Sequence, residues 1–559
     1  MANLSIAVEL LLGEDDEYAL RVDGTISKLN QLEESERVPI PQTYEEAVSH
    51  PTFGKKWREA IGLELRTLVR FGTWRFVRRP THQSVISCKW VFDLKYGADG
   101  RLERFKARLV ARGFSQREGI DFEDTFAPVI RLESLRILFA IAAIYGLTAH
   151  LLDATNAFVG SRVDKQIYME IPKGLDDHKL GPSPSDPNMV CELLQSLYGL
   201  RQSANLWNHK IKDHVATIGF RPSTADYSVF TNDRGIIIAL YVDDVLVFGK
   251  TSNEIDSVKR KLKSFHEMKD SGLVNKILGI RVTWLPNGGV RLDQQHYIQQ
   301  TLEEFGLAEC NSQPLPLGPG TDLNAESPRL PKEPHSKFRH MIGRLTYVAG
   351  GTRCDIQFPV NRLSQHLSEP TKIHLEAAKR ILRYLRRTIT YAISYVKGSD
   401  TAMLIGYVDA AYANATKRRS TSGYIFMLAG GPVSWSSRKQ PITALSSTEA
   451  EYIAAADGAK QAVWLRHFIY SVGKQKVLNG RPTPFHMDNQ SSMRLSQNPV
   501  EHTRSKHIHV RYHAIRDFIE YGEIAPIYTH TKKMLADSIT KAADKDTLGR
   551  LIKSLRLDG

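Results

Sequence analysis

Two short apolar runs frame a pair of acidic residues near the middle of the chain. Gly235-Ile-Ile-Ile-Ala-Leu240 precedes Tyr241-Val-Asp-Asp244, and Val245-Leu-Val-Phe248 follows it, closed by Gly249. This pattern predicts a buried β-hairpin with two adjacent carboxylates at its tip. Upstream, Ile61, Leu65 and Leu68 recur at helical spacing within a helix predicted over 45–71. Strand-rich segments follow over 85–94 and 105–111, separated by the turn signal Gly97-Ala-Asp-Gly100. An apolar helix is predicted over 132–145, stopped by Gly146. The strand after it alternates Leu147, Ala149 and Leu151 with Thr148 and His150 and ends at Asp153. A loop at 181–187 and a helix over 203–217 lead into the hairpin, and Pro286-Asn287-Gly288 marks a later turn.

Residues 1–41 show no sustained pattern and read as a variable leader. Between Ser312 and Pro334 six prolines occur with glycines among them, which marks a linker. Helices restart over 337–349 and 371–387, and a strand pattern at 403–408 opens a separate C-terminal domain. The 371–387 helix sorts Ile381, Leu382 and Leu385 to one side, and Lys379, Arg380, Arg383, Arg386 and Arg387 largely to the other. Five cations without compensating acids suggest contact with phosphate.

Composition narrows the function classes. At 559 residues and 42% hydrophobic content, the chain has room for two to four domains, and a net charge of +14 points to an anionic polymer as partner. Cys88, Cys191, Cys310 and Cys354 lack zinc or disulfide spacing, which favours a reducing, intracellular setting. The apolar stretch 4–12 lacks a basic leader and is interrupted by Glu9, so it is a poor signal peptide, and no run approaches transmembrane length. An intracellular, cytoplasmic location is the expectation.

The Asp243-Asp244 pair is the chemically costly one. Asp15-Asp16 and Asp176-Asp177 lie in polar stretches where water solvates them. Charges between apolar strands require a partner or a metal, and adjacent carboxylates that stay ionised together ask for a divalent cation. Two-metal transfer needs a further acid from another strand, for which Asp153 is the best candidate.

At this point the sequence resembles the Pol polyprotein of copia-type long-terminal-repeat retrotransposons, from about residue 42 onward. The motifs carrying the resemblance are Phe105-Lys-Ala-Arg-Leu-Val-Ala-Arg-Gly-Phe114, Gly119-Ile-Asp-Phe-Glu-Asp-Thr-Phe-Ala-Pro-Val129, Leu152-Asp-Ala-Thr-Asn-Ala-Phe158, Ile167-Tyr-Met-Glu-Ile-Pro-Lys-Gly174, Ser196-Leu-Tyr-Gly-Leu-Arg-Gln202 and Tyr241-Val-Asp-Asp244. It implies an α+β chain: a right-hand polymerase (fingers, palm, thumb) over 42–311, the linker at 312–334, a connection region at 335–398 and an α/β ribonuclease H-like domain at 399–559. By the same resemblance Asp153, Asp243 and Asp244 hold two Mg²⁺, with Mn²⁺ as the alternative ion. Lys106 and Arg108 would grip the triphosphate, Phe158 would pack under the nucleotide sugar and exclude a 2′-hydroxyl, and Tyr198, Gly199 and Gln202 would lie against the incoming base pair. Leu278-Gly279-Ile280 would hold the primer end.

In the last domain, Asp409, Glu449, Asp488 and Asp537 resemble the family's ribonuclease H set and would seat two further Mg²⁺ ions. Glu451 competes with Glu449, and the Ser446-Ser-Thr-Glu449 spacing favours Glu449. Thr421-Ser-Gly-Tyr424, Trp435 and Lys506-His507-Ile508 also match family blocks. His530 reads as a surface histidine, and His502, His507, His509 and His513 as a solvated or phosphate-facing segment rather than zinc ligands. Asp270-Ser271-Gly272 spells a protease signature but lacks an apolar strand to bury the aspartate. Gly160, Ala204 and Ala411 depart from the family pattern without removing a metal ligand.

The implied function is RNA-directed DNA polymerisation with ribonuclease H. The implied partners are an RNA template, a DNA primer, the RNA–DNA hybrid and deoxynucleotides, with no membrane. With no zinc knuckle or integrase triad in view, the chain is expected to be the C-terminal part of a full Pol. A catalytically silent nucleic-acid-binding remnant is the rival reading. A cellular nuclease fails to explain the Asp-Asp hairpin.

Overall fold

The computed structural model describes residues 38–96, 102–183, 186–398, 402–497 and 512–557. The leader up to residue 37, the 97–100 turn and His502, His507 and His509 lie outside the described residues. The helix expected over 45–71 is two helices, α1 (Tyr44–Ser49) and α2 (Gly54–Arg70). His50 leaves the helical region because Pro51 follows it. Then come β1 (Trp74–Arg78), β2 (Val85–Ile86) and the long ribbon β3 (Cys88–Tyr96) with β4 (Leu102–Ala111). The ribbon rests on α2 through Trp57, which meets Phe92 and Phe105 edge-on.

Helix α3 (Leu132–Tyr145) ends at Gly146, which adopts the left-handed conformation that closes helices. After it run β5 (Thr148–Ala154), β6 (Arg162–Met169), β7 (Met189–Gln195), α4 (Ser203–Thr217), β8 (Arg221–Pro222), β9 (Val229–Thr231), β10 (Ile237–Tyr241), β11 (Asp244–Gly249), α5 (Ser252–Phe265) and β12 (Met268–Leu273). These elements build a central sheet in the order β12-β5-β11-β10-β9-β8, beside a smaller sheet β1-β7-β6-β2. Strands β10 and β11 are apolar up to the hairpin tip because both faces are covered there. Leu152, Ile238, Leu240, Val245 and Val247 pack with α4 and α5. Ala149, Ile237, Ala239, Leu246 and Phe248 face α3. Every residue of α3 from Ser134 to Ala143 is buried. A helix without a wet face is enclosed on all sides, and the second wall is supplied from far along the chain.

That wall begins beyond β13 (Lys276–Ile277), β14 (Ile280–Trp284), β15 (Val290–Asp293) and the helices α6 (Gln295–Glu304), α7 (Lys332–Gly351), α8 (Gln357–Ser364) and α9 (Lys372–Arg387). Strand β16 (Ile393–Tyr395) returns to pair with β15. The C-terminal module contains β17 (Ile405–Ala411), β18 (Thr421–Leu428), β19 (Gly431–Lys439), α10 (Ser447–Ser471), β20 (Thr483–Met487), α11 (Gln490–Gln497), α12 (Ala514–Glu520), β21 (Ile524–Tyr528) and α13 (Lys545–Ser554). Its sheet runs β19-β18-β17-β20-β21, antiparallel on one side of β17 and parallel on the other. The expected mixed α and β architecture is therefore present. One continuous hydrophobic core joins α3, the β13–β16 sheet, helices α7 to α9 and the C-terminal module.

The proline-rich 312–334 segment is not a free tether. Leu317 and Leu323 are buried, Gln313 N donates to Arg383 O, and Arg380 Nε donates to Leu315 O. The same contacts revise the basic face of α9. Arg380 is bound to that segment, Arg386 bonds Cys310 O and Glu309, and Lys379 pairs with Glu376 at 2.8 Å. Much of that charge serves packing rather than phosphate.

Asp270 lies on β12, at a bulge between it and Gly272, and pairs with Lys259 (3.0 Å) and Lys263 (3.2 Å). These lysines hold its carboxyl down at about 2 against the opposing effect of burial, which makes it a structural anion. Its folded pKa lies below the unfolded value of 3.8, so its stabilisation is present above about pH 4 and is lost as pH falls towards 2. Asp270→Asn should therefore lower the unfolding free energy at neutral pH by about 1–2 kcal/mol, and urea titrations should show the gap closing below pH 4.

Candidate active sites

The first site is made by strand register. Antiparallel pairing of β11 with β5 sets Asp244 directly opposite Asp153, and pairing of β10 with β11 closes the hairpin at Tyr241 and Asp244. Val242 and Asp243 form the turn between them. Val242 has φ 52°, which is uncommon for a β-branched residue. Two bonds hold this tip: Trp207 Nε1 on α4 donates to Val242 O at 2.7 Å, and Ala154 N donates to Asp243 O at 2.9 Å. The three acids thus converge where two strands and a turn meet.

Burial, then repulsion, shows in the acidity of Asp243 and Asp244. Asp244 is pushed up to about 7, first by burial and then by Asp243 and Asp153. Asp243 moves up as well through partial desolvation and Asp153, although the cations Arg108 and Lys106 act against the shift. Among the described residues, none of the three carboxylates has an ion-pair partner closer than 4 Å. Three converging carboxylates, Asp153 and Asp243 exposed and Asp244 partly buried, without a lysine or arginine to neutralise them, have the donor chemistry of a divalent-cation site.

The expected nucleotide-side residues surround this point. Lys106 and Arg108 lie on β4 opposite Asp93 and Val91. Burial, together with Arg108, Lys95 and Arg104, brings the Lys106 ammonium down to about 8. The Arg108 guanidinium sits 4.9 Å from the Tyr198 ring centroid, and Tyr198 meets Phe158 edge-on at 5.5 Å. Phe158 is half-buried on the short helical turn Ala157–Gly160 that follows β5.

Gly199 has φ +88°, and a Cβ there would stand 2.1 Å from Ala111 O. Only glycine permits this approach, at which Ala111 N donates to Tyr198 O at 2.7 Å. The 196–202 loop is thereby clamped to the end of the ribbon. Gln202 corrects an expectation. It is fully buried, with Nε2 donating to Asp121 O (2.9 Å) and Oε1 accepting from Gln116 Nε2 (3.1 Å), so it braces the loop and does not face a base pair. Leu278 and Gly279 form the tight turn between β13 and β14, and Leu278 O accepts from Tyr347 OH.

The second site also requires a correction. Carboxylate oxygens of Asp409 (β17), Glu451 (α10) and Asp488 lie within 4.8 Å of one another, and Glu449 is not among them. Glu449 stands three residues after the helix N-cap Ser446, whose Oγ accepts from Glu449 N at 3.1 Å. Its own Oε2 accepts from Leu445 N at 2.6 Å. Ser446-Ser-Thr-Glu449 is therefore a helix-capping sequence, and its spacing reports the start of α10 rather than chemistry. Glu451, two positions on, projects from a different face of the helix, towards β17.

Burial and the neighbouring Asp409 and Asp488 drive the Glu451 carboxyl far upward. Asp409 rises through burial, Asp537 and Asp488. Asp537 rises through burial against Lys541, which lies 2.8 Å away. Thr531 Oγ1 donates to Asp488 Oδ2 at 2.9 Å, and Thr540 Oγ1 donates to Asp409. His530 is exposed on the neighbouring loop, and His513 contacts Tyr452 OH at 3.0 Å.

With both sites described, comparisons with known proteins become informative. Residues 71–319 match the family described as Reverse transcriptase (RNA-dependent DNA polymerase). The chain is 36% identical over 492 residues to the Retrovirus-related Pol polyprotein from transposon RE1 of Arabidopsis thaliana, covering 87% of this chain and 33% of that protein. It is 35% identical over 520 residues to the corresponding polyprotein from transposon TNT 1-94 of Nicotiana tabacum, covering 90% of this chain and 38% of that protein. A transposon Ty5-1 protein of Saccharomyces cerevisiae is 37% identical over 319 residues, 55% of this chain and 98% of that protein. The chain belongs to the Pol polyprotein family of copia-type retrotransposons. It spans about a third of the length of the plant relatives. Among solved structures, a foamy viral protease-reverse transcriptase in complex with double-stranded DNA overlaps it with a TM-score of 0.46 at 14% identity, over 85% of this chain and 69% of that chain. Among the described residues, no helix is long and apolar enough to cross a membrane.

The acidity of Asp244 generates a test. Its folded pKa of about 7 exceeds the unfolded 3.8, so without metal it costs stability increasingly as pH rises from about 4 through 7. Asp244→Asn should melt at the same temperature as wild type near pH 4 and higher than wild type at pH 8 in chelator. Millimolar Mg²⁺ or Mn²⁺ should raise the wild-type melting temperature at pH 8 and leave that of the variant nearly unchanged.

Proposed function

We propose that this chain copies RNA into DNA at Asp153, Asp243 and Asp244 and cleaves the RNA strand of the resulting hybrid at Asp409, Glu451, Asp488 and Asp537. The observation carrying this reading is the β5–β11 register that opposes Asp153 and Asp244 beside Asp243 at a solvent-reaching tip. The family match over 71–319 and the second carboxylate cluster support it. A silent remnant would have no need for two intact acidic clusters.

Each cluster suits a pair of Mg²⁺ ions, with Mn²⁺ as a substitute. Bound there, such ions activate the attacking oxygen and offset charge on the leaving group. The chain's own groups do the rest. Lys106 and Arg108 extend from the ribbon towards the acidic tip and would hold a triphosphate as fixed cations, needing little reorganisation during transfer. The Phe158 ring, braced by Tyr198, would occupy the space of a 2′-hydroxyl and select deoxynucleotides. Gly199 and the loop braced by Gln202 would shape the floor under the templating pair. Trp207 and Ala154 keep Asp243 aimed by fixing the turn backbone. The RNA template, DNA primer and hybrid are the proposed partners, consistent with the net charge of +14.

Primer extension on an RNA template with Mg²⁺ tests the first site. Asp243→Asn should reduce incorporation by at least about 100-fold, and wild type no faster than this variant would end the polymerase reading. Phe158→Ala should raise ribonucleotide incorporation relative to deoxynucleotide by about tenfold or more in single-nucleotide assays. Release of labelled RNA from a hybrid should be abolished by Glu451→Gln and Asp488→Asn. It should survive in Glu449→Gln, whose cost should appear instead as a lower melting temperature.

A further inference from the structure

Helix α3 lies between the two acidic sites and touches the scaffold of both. On one side Phe139 meets Phe248 of β11, the strand that begins at Asp244, edge-on at 5.5 Å. On the other side Arg136, only 2% exposed, reaches out of the helix. Its Nε donates to Val433 O on β19 at 2.8 Å, and its Nη1 donates to Gly350 O at 2.6 Å and Gly351 O at 3.0 Å at the end of α7. The guanidinium lies 3.8 Å from the Trp435 ring centroid, and Trp435 Nε1 donates to Ala349 O at 2.9 Å. One cation thus ties three segments that lie far apart in the chain.

Strand β19 pairs with β18, and β18 pairs with β17, where Gly423 stands opposite Asp409. From Asp244 to Asp409 the path crosses one helix and three hydrogen-bonded strands. A second contact braces the same module elsewhere. Ser471 bonds Ser223 at 2.6 Å, His467 bonds Thr224 at 2.9 Å, and Trp464 Nε1 donates to Ala225 O at 3.2 Å. Two separated attachments prevent rotation about either one.

A buried guanidinium bound to carbonyls rather than to a carboxylate is a poor source of stability, because desolvation of the charge is only partly recovered. What it offers is geometry: a planar fork with several donors fixed relative to one another, which an ammonium cannot reproduce. We propose that Arg136 is a positioning residue that locks the two acidic sites at one separation, so that RNA is cut at a constant distance behind the growing primer end. The inference rests on the two-site reading above and adds the residue that fixes the separation of the sites.

The test uses the full chain on an RNA template with a recessed DNA primer, halted at successive positions by omitting nucleotides, with each RNA cut mapped. Wild type should give one dominant cut that advances by one nucleotide for each nucleotide added. In Arg136→Lys and Arg136→Met the cuts should spread over several neighbouring positions. Extension rate and total RNA release should stay within about threefold of wild type. Wild-type cuts that ignore the primer end, or variants that stay as sharp as wild type, overturn the proposal. If the Arg136 variants fail to fold, the pair His467→Ala and Ser471→Ala at the second contact should show the same spreading.

Calorimetry separates this outcome from failure of the catalytic reading. Wild type should unfold in one transition and Arg136→Lys in two, whether or not either activity is detected. A single unchanged transition in Arg136→Lys overturns the lock, while absent activity with split unfolding overturns only the catalytic reading.

Discussion

The pairing of Asp244 with Asp153 is unfavourable by itself, since like charges directly opposite across a sheet repel. It persists because β5, β10 and β11 send apolar side chains into a helix layer on each face of the sheet, and a slip of one residue would send every one of them to the wrong layer. Hydrophobic burial therefore holds the acids together against their charge. The surrounding features follow from this constraint: the turn backbone gripped by Trp207, the cationic ribbon inclined towards the tip, and the raised pKa of Asp244.

Much of this was legible in the residues. The Asp-Asp hairpin, α3 with its Gly146 stop, α4, and the strand ending near Asp153 follow from periodicity and turn chemistry, because each carries its apolar pattern and its stop signal within its own residues. The boundaries that differed had local causes, such as Pro51 dividing one helix into two. The third acid was found by its place after a buried helix, and family motifs in order supplied Lys106, Arg108, Phe158 and Tyr198, which composition alone would not single out.

The misses have a common origin, in that one residue pattern served two purposes. Ser446-Ser-Thr-Glu449 carries a strong signal, but it is the signal of a helix start, and the acid that joins Asp409 and Asp488 is Glu451. Counting helix positions from the cap would have found it, since a residue five positions past Ser446 points away from the capping face. Gln202 lies in the 196–202 loop beside the ribbon, yet its amide is consumed in bracing that loop. The prolines of 312–334 and the arginines of α9 looked like a tether and a phosphate surface because neither could be seen to be the other's partner. Contacts between distant segments leave no periodic trace.

The complete enclosure of α3 carries a consequence for how the molecule is made. Its inner face is served by strands that follow within about a hundred residues, but Arg136 and the outer face wait for Val433 and Trp435. During synthesis the polymerase-like half leaves the ribosome with a charged side chain and an apolar wall uncovered, which is the kind of surface that aggregates or recruits chaperones. The sequence boundary near residue 400 separates two acidic clusters without separating their scaffolds, and the packing around the first is finished only by strands of the module that carries the second.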